Sequence, residues 1–136
     1  MKVELQEFPI QEAADLAAAF SAMAKARMDA VMVGEDPLIN TNANVVAALA
    51  LTHRLPTSGF TNLADAGGLI GYGSDRAAVY GRSAYFVDRV FKGTKVGEIP
   101  FERATKFELI VNQKTAKALG LTMPGSVMVR ADQIIE

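Results

Sequence analysis

The chain has 136 residues, half of them hydrophobic, with 14 basic and 15 acidic residues and a net charge of −1. That length suits one domain with a real core, and the near-neutral balance leaves no cationic surplus to neutralise nucleic-acid phosphates. With no cysteine and one histidine, disulfides, thiol catalysis and cysteine-ligated zinc are excluded.

From the amino terminus, Val3 and Leu5 alternate with Glu4 and Gln6, which predicts a short strand over Lys2–Phe8, ended by Pro9. Its glutamates exclude a secretory signal, so the chain as written is expected to stay where it is made, in the cytoplasm. Gln11–Arg27 is alanine-rich, and Leu16, Phe20 and Met23 recur at helical spacing, predicting an amphipathic helix. Ala30–Val33 is a continuous apolar run suited to a buried strand, followed by a loop over Gly34–Pro37. A second helix is expected over Asn42–His53, with Thr41 as its cap. Leu55–Ser58 reads as a strand, Thr61–Ala66 as a helical turn closed by Gly67, and Leu69–Tyr72 as another strand.

Ser74 or Asp75 then caps a third helix that reaches Lys92 and stops at Gly93. Phe107–Val111 is a predicted strand. Asn112 caps a short helix over Lys114–Leu119, which Gly120 closes, and the run Val127–Val129 is strand-like. Alternating strands and helices joined by short connections argue for one α/β domain, 1–136, with a mostly parallel sheet flanked by helices. In such sheets ligands sit beyond the carboxyl ends of the strands. Three connections qualify: Gly34–Thr41, Ser58–Asn62 and Tyr72–Asp75.

Catalytic chemistry finds little support. His53 ends a helix beside Arg54, and Ser58 in PTSGF lacks the preceding glycine of a nucleophile elbow. Adjacent Glu35 and Asp36 lack calcium-loop spacing, so neither metal nor cofactor is expected. The glycines of GGLIGYG do not follow the dinucleotide-binding spacing. They serve either tight turns and close backbone approach or a ligand at the helix start after Gly73 and Ser74. Phe60 and Tyr72 are either packed or walls for an apolar solute. Asp36 either caps the helix after it or holds a ligand ammonium group.

The segments ADAGGLIGYGSD (Ala64–Asp75) and PFERATKFELIVNQKTAKALGLTMP (Pro100–Pro124) resemble the carboxyl-terminal part of TrpX-like ABC-transporter substrate-binding proteins. The resemblance implies the second lobe of a type I periplasmic binding-protein fold and a non-enzymatic role. A small solute, amino acids among the possibilities, would be captured without covalent chemistry and passed to a membrane permease from the periplasm. It implies Asp36, Ser58, Phe60, Tyr72 and Ser74 as ligand contacts. It also implies that the helix after Tyr72 packs on a companion lobe. The apolar surface of that helix, from Val79 to Phe91, leads to the expectation of homo-oligomers. Two alternatives stand beside this reading: a self-associating structural remnant that binds nothing, and the effector core of a lactose-repressor-like regulator. The absence of basic charge weighs against the regulator.

Overall fold

A computed structural model describes residues 3–136. Its centre is a five-stranded sheet in the order β1 (Val31–Met32), β2 (Thr57–Gly59), β3 (Ile70–Ser74), β4 (Phe107–Asn112) and β5 (Gln133–Ile135). β1, β2 and β3 are parallel, β4 runs antiparallel to β3, and β5 is parallel to β4. The expected mostly parallel α/β sheet is therefore present, with one reversal where the chain leaves and re-enters between β3 and β4.

The helices are α1 (Asp15–Lys25), α2 (Pro37–Thr41), α3 (Ala43–Thr52), α4 (Thr61–Asp65), α5 (Arg76–Phe91), α6 (Gln113–Leu119) and α7 (Gly125–Met128). Leu16, Phe20 and Met23 of α1 pack with Val46, Ala50 and Leu55 into the core, as their helical spacing dictates. α4 lies against β2 and β3 at a distance that only glycine permits. A methyl group at Gly71 would stand 2.9 Å from the Cα and carbonyl oxygen of Thr61, and one at Gly68 would stand 2.8 Å from Leu63. These two glycines serve close helix–sheet approach rather than a ligand.

Helix ends follow one recurring device. After α4, Gly67 N–H donates to Ala64 O and Gly68 N–H to Leu63 O; the same paired bonds close α5 at Gly93 and α6 at Gly120. α1 and α3 end identically, but with Arg27 and Arg54 in the left-handed conformation at φ 56° and 55°.

Several boundaries differ from the sequence reading. Val3–Phe8 forms no strand, because no described strand lies beside it to accept its backbone bonds; Lys2 lies outside the described residues. α1 starts at Asp15, whose carboxylate accepts the N–H groups of Gln11 and Glu12. The expected loop after Val33 contains α2, because Asp36 caps it through Leu38 N–H at 2.8 Å and Pro37 supplies its first turn. Thr41 does not cap α3; its hydroxyl donates to Pro37 O. Asp75, not Ser74, caps α5. The run Val127–Val129 belongs to α7 and its end rather than to a strand, because bonds to Pro124 O turn it helical; β5 follows at Gln133.

Candidate functional site

The carboxyl ends of β1, β2 and β3 share one edge of the sheet; β2 and β3 each reach a helix after one residue, and β1 after the short connection Val33–Asp36. Register separates the two faces there. Thr57, Gly59, Gly71 and Ile110 look toward α4 and the core; Met32, Ser58, Ile70, Tyr72 and Ser74 alternate with them onto the opposite face. Met32 is 80% exposed and Tyr72 58% exposed, so that opposite face is open at these strands.

Ser58, Tyr72 and Ser74 thus share one face, with Ser58 beside Ile70 and Ser74 four residues farther along β3. Tyr72 stacks on Phe107 of β4, ring centres 5.8 Å apart and 13° from parallel, leaving an aromatic surface with one broad side free. Asp36 is exposed at the end of β1, and its Oδ1 is engaged by Leu38 N–H. Phe60 goes elsewhere. As the residue preceding α4 it turns into the core, 6% exposed, where it packs with Leu63 and the α1–α3 layer. Phe107, not Phe60, is the aromatic partner that the edge presents.

Two further residues bridge the connections. Asn62 Nδ2, in α4, lies 3.5 Å from Asn40 Oδ1, in α2, so the loops after β1 and β2 are joined by the carboxamides of two half-buried residues. Neither asparagine carries a sequence signal, since asparagine is common wherever chains turn; only the fold places them together.

The start of α5 is already occupied. Asp75, 6% exposed, accepts Ala78 N–H at 3.0 Å and pairs with Lys106 Nζ at 2.6 Å. Lys106, with help from the Ala78 N–H, holds the Asp75 carboxyl below the usual carboxylate range; Asp75 in turn raises the Lys106 ammonium. The terminus after Gly73 and Ser74, expected to suit a ligand carboxylate, therefore already holds one from its own chain. Asp75 N–H also donates to Lys106 O, which ties the departing and returning strands together.

Among the described residues, no three His, Cys, Asp or Glu side chains group to hold a metal. His53 is half-buried at the end of α3, and among the described residues it shares no hydrogen bond with a serine or carboxylate. The edge offers hydroxyls, carboxamides, one free carboxylate oxygen and an aromatic plane. Such a set can hold a small polar solute with an apolar part.

Solved structures share this architecture. An ABC domain in complex with L-Trp from Streptococcus pneumonia is 25% identical, with a TM-score of 0.85 over 94% of this chain and 43% of its own. A conserved domain protein from Vibrio cholerae O1 biovar El Tor is 23% identical, with a TM-score of 0.83 over 90% of this chain and 42% of its own. A ligand-free, open substrate binding protein with adhesive properties from Clostridium difficile is 18% identical, with a TM-score of 0.64 over 93% of this chain and 42% of its own. The chain spans less than half the length of each of these solved chains. No curated protein matches it. The family model described as ABC transporter substrate binding protein matches residues 1–135, and on that match the chain belongs to the ABC transporter substrate binding protein family.

Proposed function

We propose that this chain is the solute-binding lobe of an ABC-type uptake receptor acting outside the cytoplasmic membrane. It takes a small amino acid-like solute by non-covalent contact and presents it to a membrane permease. The observation that carries the proposal is the Tyr72–Phe107 stack on the open face of β3, the face that Ser58 and Ser74 share. The free aromatic plane suits a flat or apolar side chain, and Asp36 suits an ammonium group. Membership of a substrate-binding family and the L-Trp held by the pneumococcal neighbour support the same solute class.

Titration calorimetry of the folded chain against the twenty common amino acids tests this. Heat that saturates for one class, and that weakens severalfold in Tyr72→Ala, is expected. A folded sample silent across the panel at millimolar solute overturns the proposal.

A second reading, a structural domain that associates with copies of itself and binds no solute, is favoured by one observation. No residue from Arg76 to Phe107 is buried, and Phe91 and Phe101 are 86% and 92% exposed. Light scattering at micromolar concentration separates the readings, since a monomer that binds an amino acid excludes this one.

A further inference from the structure

We propose that the backbone edge of β3 beyond the end of β2 reads the head of an α-amino acid. The ammonium donates to Tyr72 C=O, the carboxylate accepts from Ser74 N–H, and Thr61 is a specificity-determining residue beside them. This rests on the solute-binding reading and names the part of the solute that the chain recognises.

The β2–β3 ladder ends at the pair Gly59 and Gly71, whereas β3 runs on to Ser74. On its other side β3 is held by β4: Asn112 N–H donates to Leu69 O, and Asp75 N–H to Lys106 O. These two bonds fix the phase of the antiparallel ladder, because bonded and non-bonded pairs alternate along it. Leu69, Gly71, Gly73 and Asp75 therefore turn their N–H and C=O groups to β4, and Ile70, Tyr72 and Ser74 turn theirs to the β2 side. Past the last β2 pair, no described strand meets the C=O of Tyr72 or the N–H of Ser74.

These two groups flank Gly73. In a parallel ladder they are the acceptor and donor that a single residue spans, through its own N–H and C=O. A free α-amino acid carries an ammonium and a carboxylate on one carbon, which supplies the same donor and acceptor at the same span. An amine without the carboxylate, or an acid without the ammonium, meets one group and leaves the other unbonded. The residue that accepts the ammonium also carries the ring stacked on Phe107, so one strand residue joins head recognition to the aromatic surface.

Thr61 opens α4 at the same place. Its methyl lies 3.7 Å from where a Cβ at Gly73 would stand. The residue is 8% exposed, yet its hydroxyl has no partner among the described residues. No fully buried side-chain oxygen is left in that state, so this hydroxyl opens to solvent. Held beside Gly73 with a proton to give, it is a second donor for a carboxylate on Ser74 N–H. Residues 28–52 and 55–75 contain no lysine or arginine. The carboxylate is thus met by neutral donors, which suits a zwitterion better than an anion.

Titration calorimetry and amide hydrogen exchange on the full chain test this with two probe series. One is L-tryptophan, tryptamine and indolepropionate; the other is L-leucine, isoamylamine and isocaproate. Each analogue lacking a charged group should bind about tenfold or more weakly than its parent amino acid, the effect of losing one charge-assisted hydrogen bond. The bound amino acid should slow exchange at the Ser74 amide. Thr61→Val should weaken binding severalfold at unchanged melting temperature, because the hydroxyl supports no bond of the fold, and Thr61→Ser should restore it. The analogues and the Ser74 amide need no variant, so the test stays decisive should Thr61→Val fail to fold. An analogue that binds as well as its parent, a Ser74 amide left unprotected, or unchanged affinity in Thr61→Val overturns the assignment and leaves the solute-binding reading standing. Silence of both series at millimolar concentration overturns it too; only silence across all twenty amino acids removes the wider reading with it.

Discussion

Replacing Gly71 by alanine probes how tightly α4 is seated at the sheet edge. The added methyl would lie 2.9 Å from both Cα and O of Thr61 and 3.0 Å from the Ala64 Cβ. Two of these three atoms are backbone, so no rotamer change relieves the contact; α4 must move as a unit. Overpacking of this kind costs about 1–3 kcal/mol. Against it stands about 0.4–1 kcal/mol from the reduced freedom of the unfolded chain. The net is a loss of about 1–2 kcal/mol, a sizeable share of the roughly 5–15 kcal/mol of a typical domain. For a chain of this size that lowers the melting temperature by roughly 5–10 °C. Gly73→Ala is the matched control, because its nearest neighbour, the Thr61 side chain, stands at 3.7 Å, an ordinary contact; it should melt within about 2 °C of the parent. Thermal and urea unfolding followed by circular dichroism supply the comparison. A Gly71→Ala variant as stable as the parent, or a Gly73→Ala variant equally damaged, refutes the claim that glycine is required for the seating of α4. The displaced helix should also break the Asn40–Asn62 contact, so solute binding is expected to fall with stability in Gly71→Ala.

Four further outcomes are expected. Arg27→Gly and Arg54→Gly should each raise stability by about 0.5–1 kcal/mol, because both arginines sit in the left-handed region after a helix; urea midpoints read this. The Asp75 carboxyl is held low by Lys106, so the stability it contributes is complete above the ordinary carboxylate range and lost as pH falls through its depressed folded value. Lys106 is raised, so its contribution is complete below the ordinary lysine range and lost as pH rises through its elevated folded value. Amide exchange at Ala78 should therefore accelerate toward both extremes, and Asp75→Asn, which keeps a capping oxygen, should flatten the acid limb. Amides of α5 should exchange far faster than those of β3 and β4, because a helix with no buried residue draws little stability from packing; core-like protection in a monomer would contradict the exposure of its side chains. Asp36→Ala should loosen α2 by about 1 kcal/mol through loss of its cap and weaken any ammonium-bearing solute, both measurable by calorimetry.

The elements whose information is local were legible in the chain. Leu16, Phe20 and Met23 declare the core face of α1, and Gly93 and Gly120 mark real helix ends. What depends on partners was not. Val3–Phe8 has a strand's alternation, but a strand exists only through a neighbour's backbone, and none stands beside it. The short run Val127–Val129 cannot be told from a helical turn by periodicity alone; Pro124 O, accepting from Val127 and Met128, settles it. At the edge, order alone places a connection at Asp36, whereas Ser58, Tyr72 and Ser74, expected on connections, lie within β2 and β3. Which way each side chain turns was not legible, since Phe60 is drawn inward by the start of α4 while Tyr72 finds Phe107 thirty-odd positions away. The reversal at β4 was equally hidden, because alternating strands and helices suggest parallel pairing until a long excursion intervenes.

That excursion has an architectural consequence. Ser74 and Phe107 are ladder partners, and Asp75 N–H bonds Lys106 O just beyond them, so the sheet meets the arm only at a two-stranded neck. Topologically, β3 and β4 are a hairpin whose tip has been drawn out into some thirty residues. A tight reverse turn grafted across the neck would leave every ladder bond of the sheet in place, which makes the arm an exchangeable module and the neck a natural place to fuse a different one.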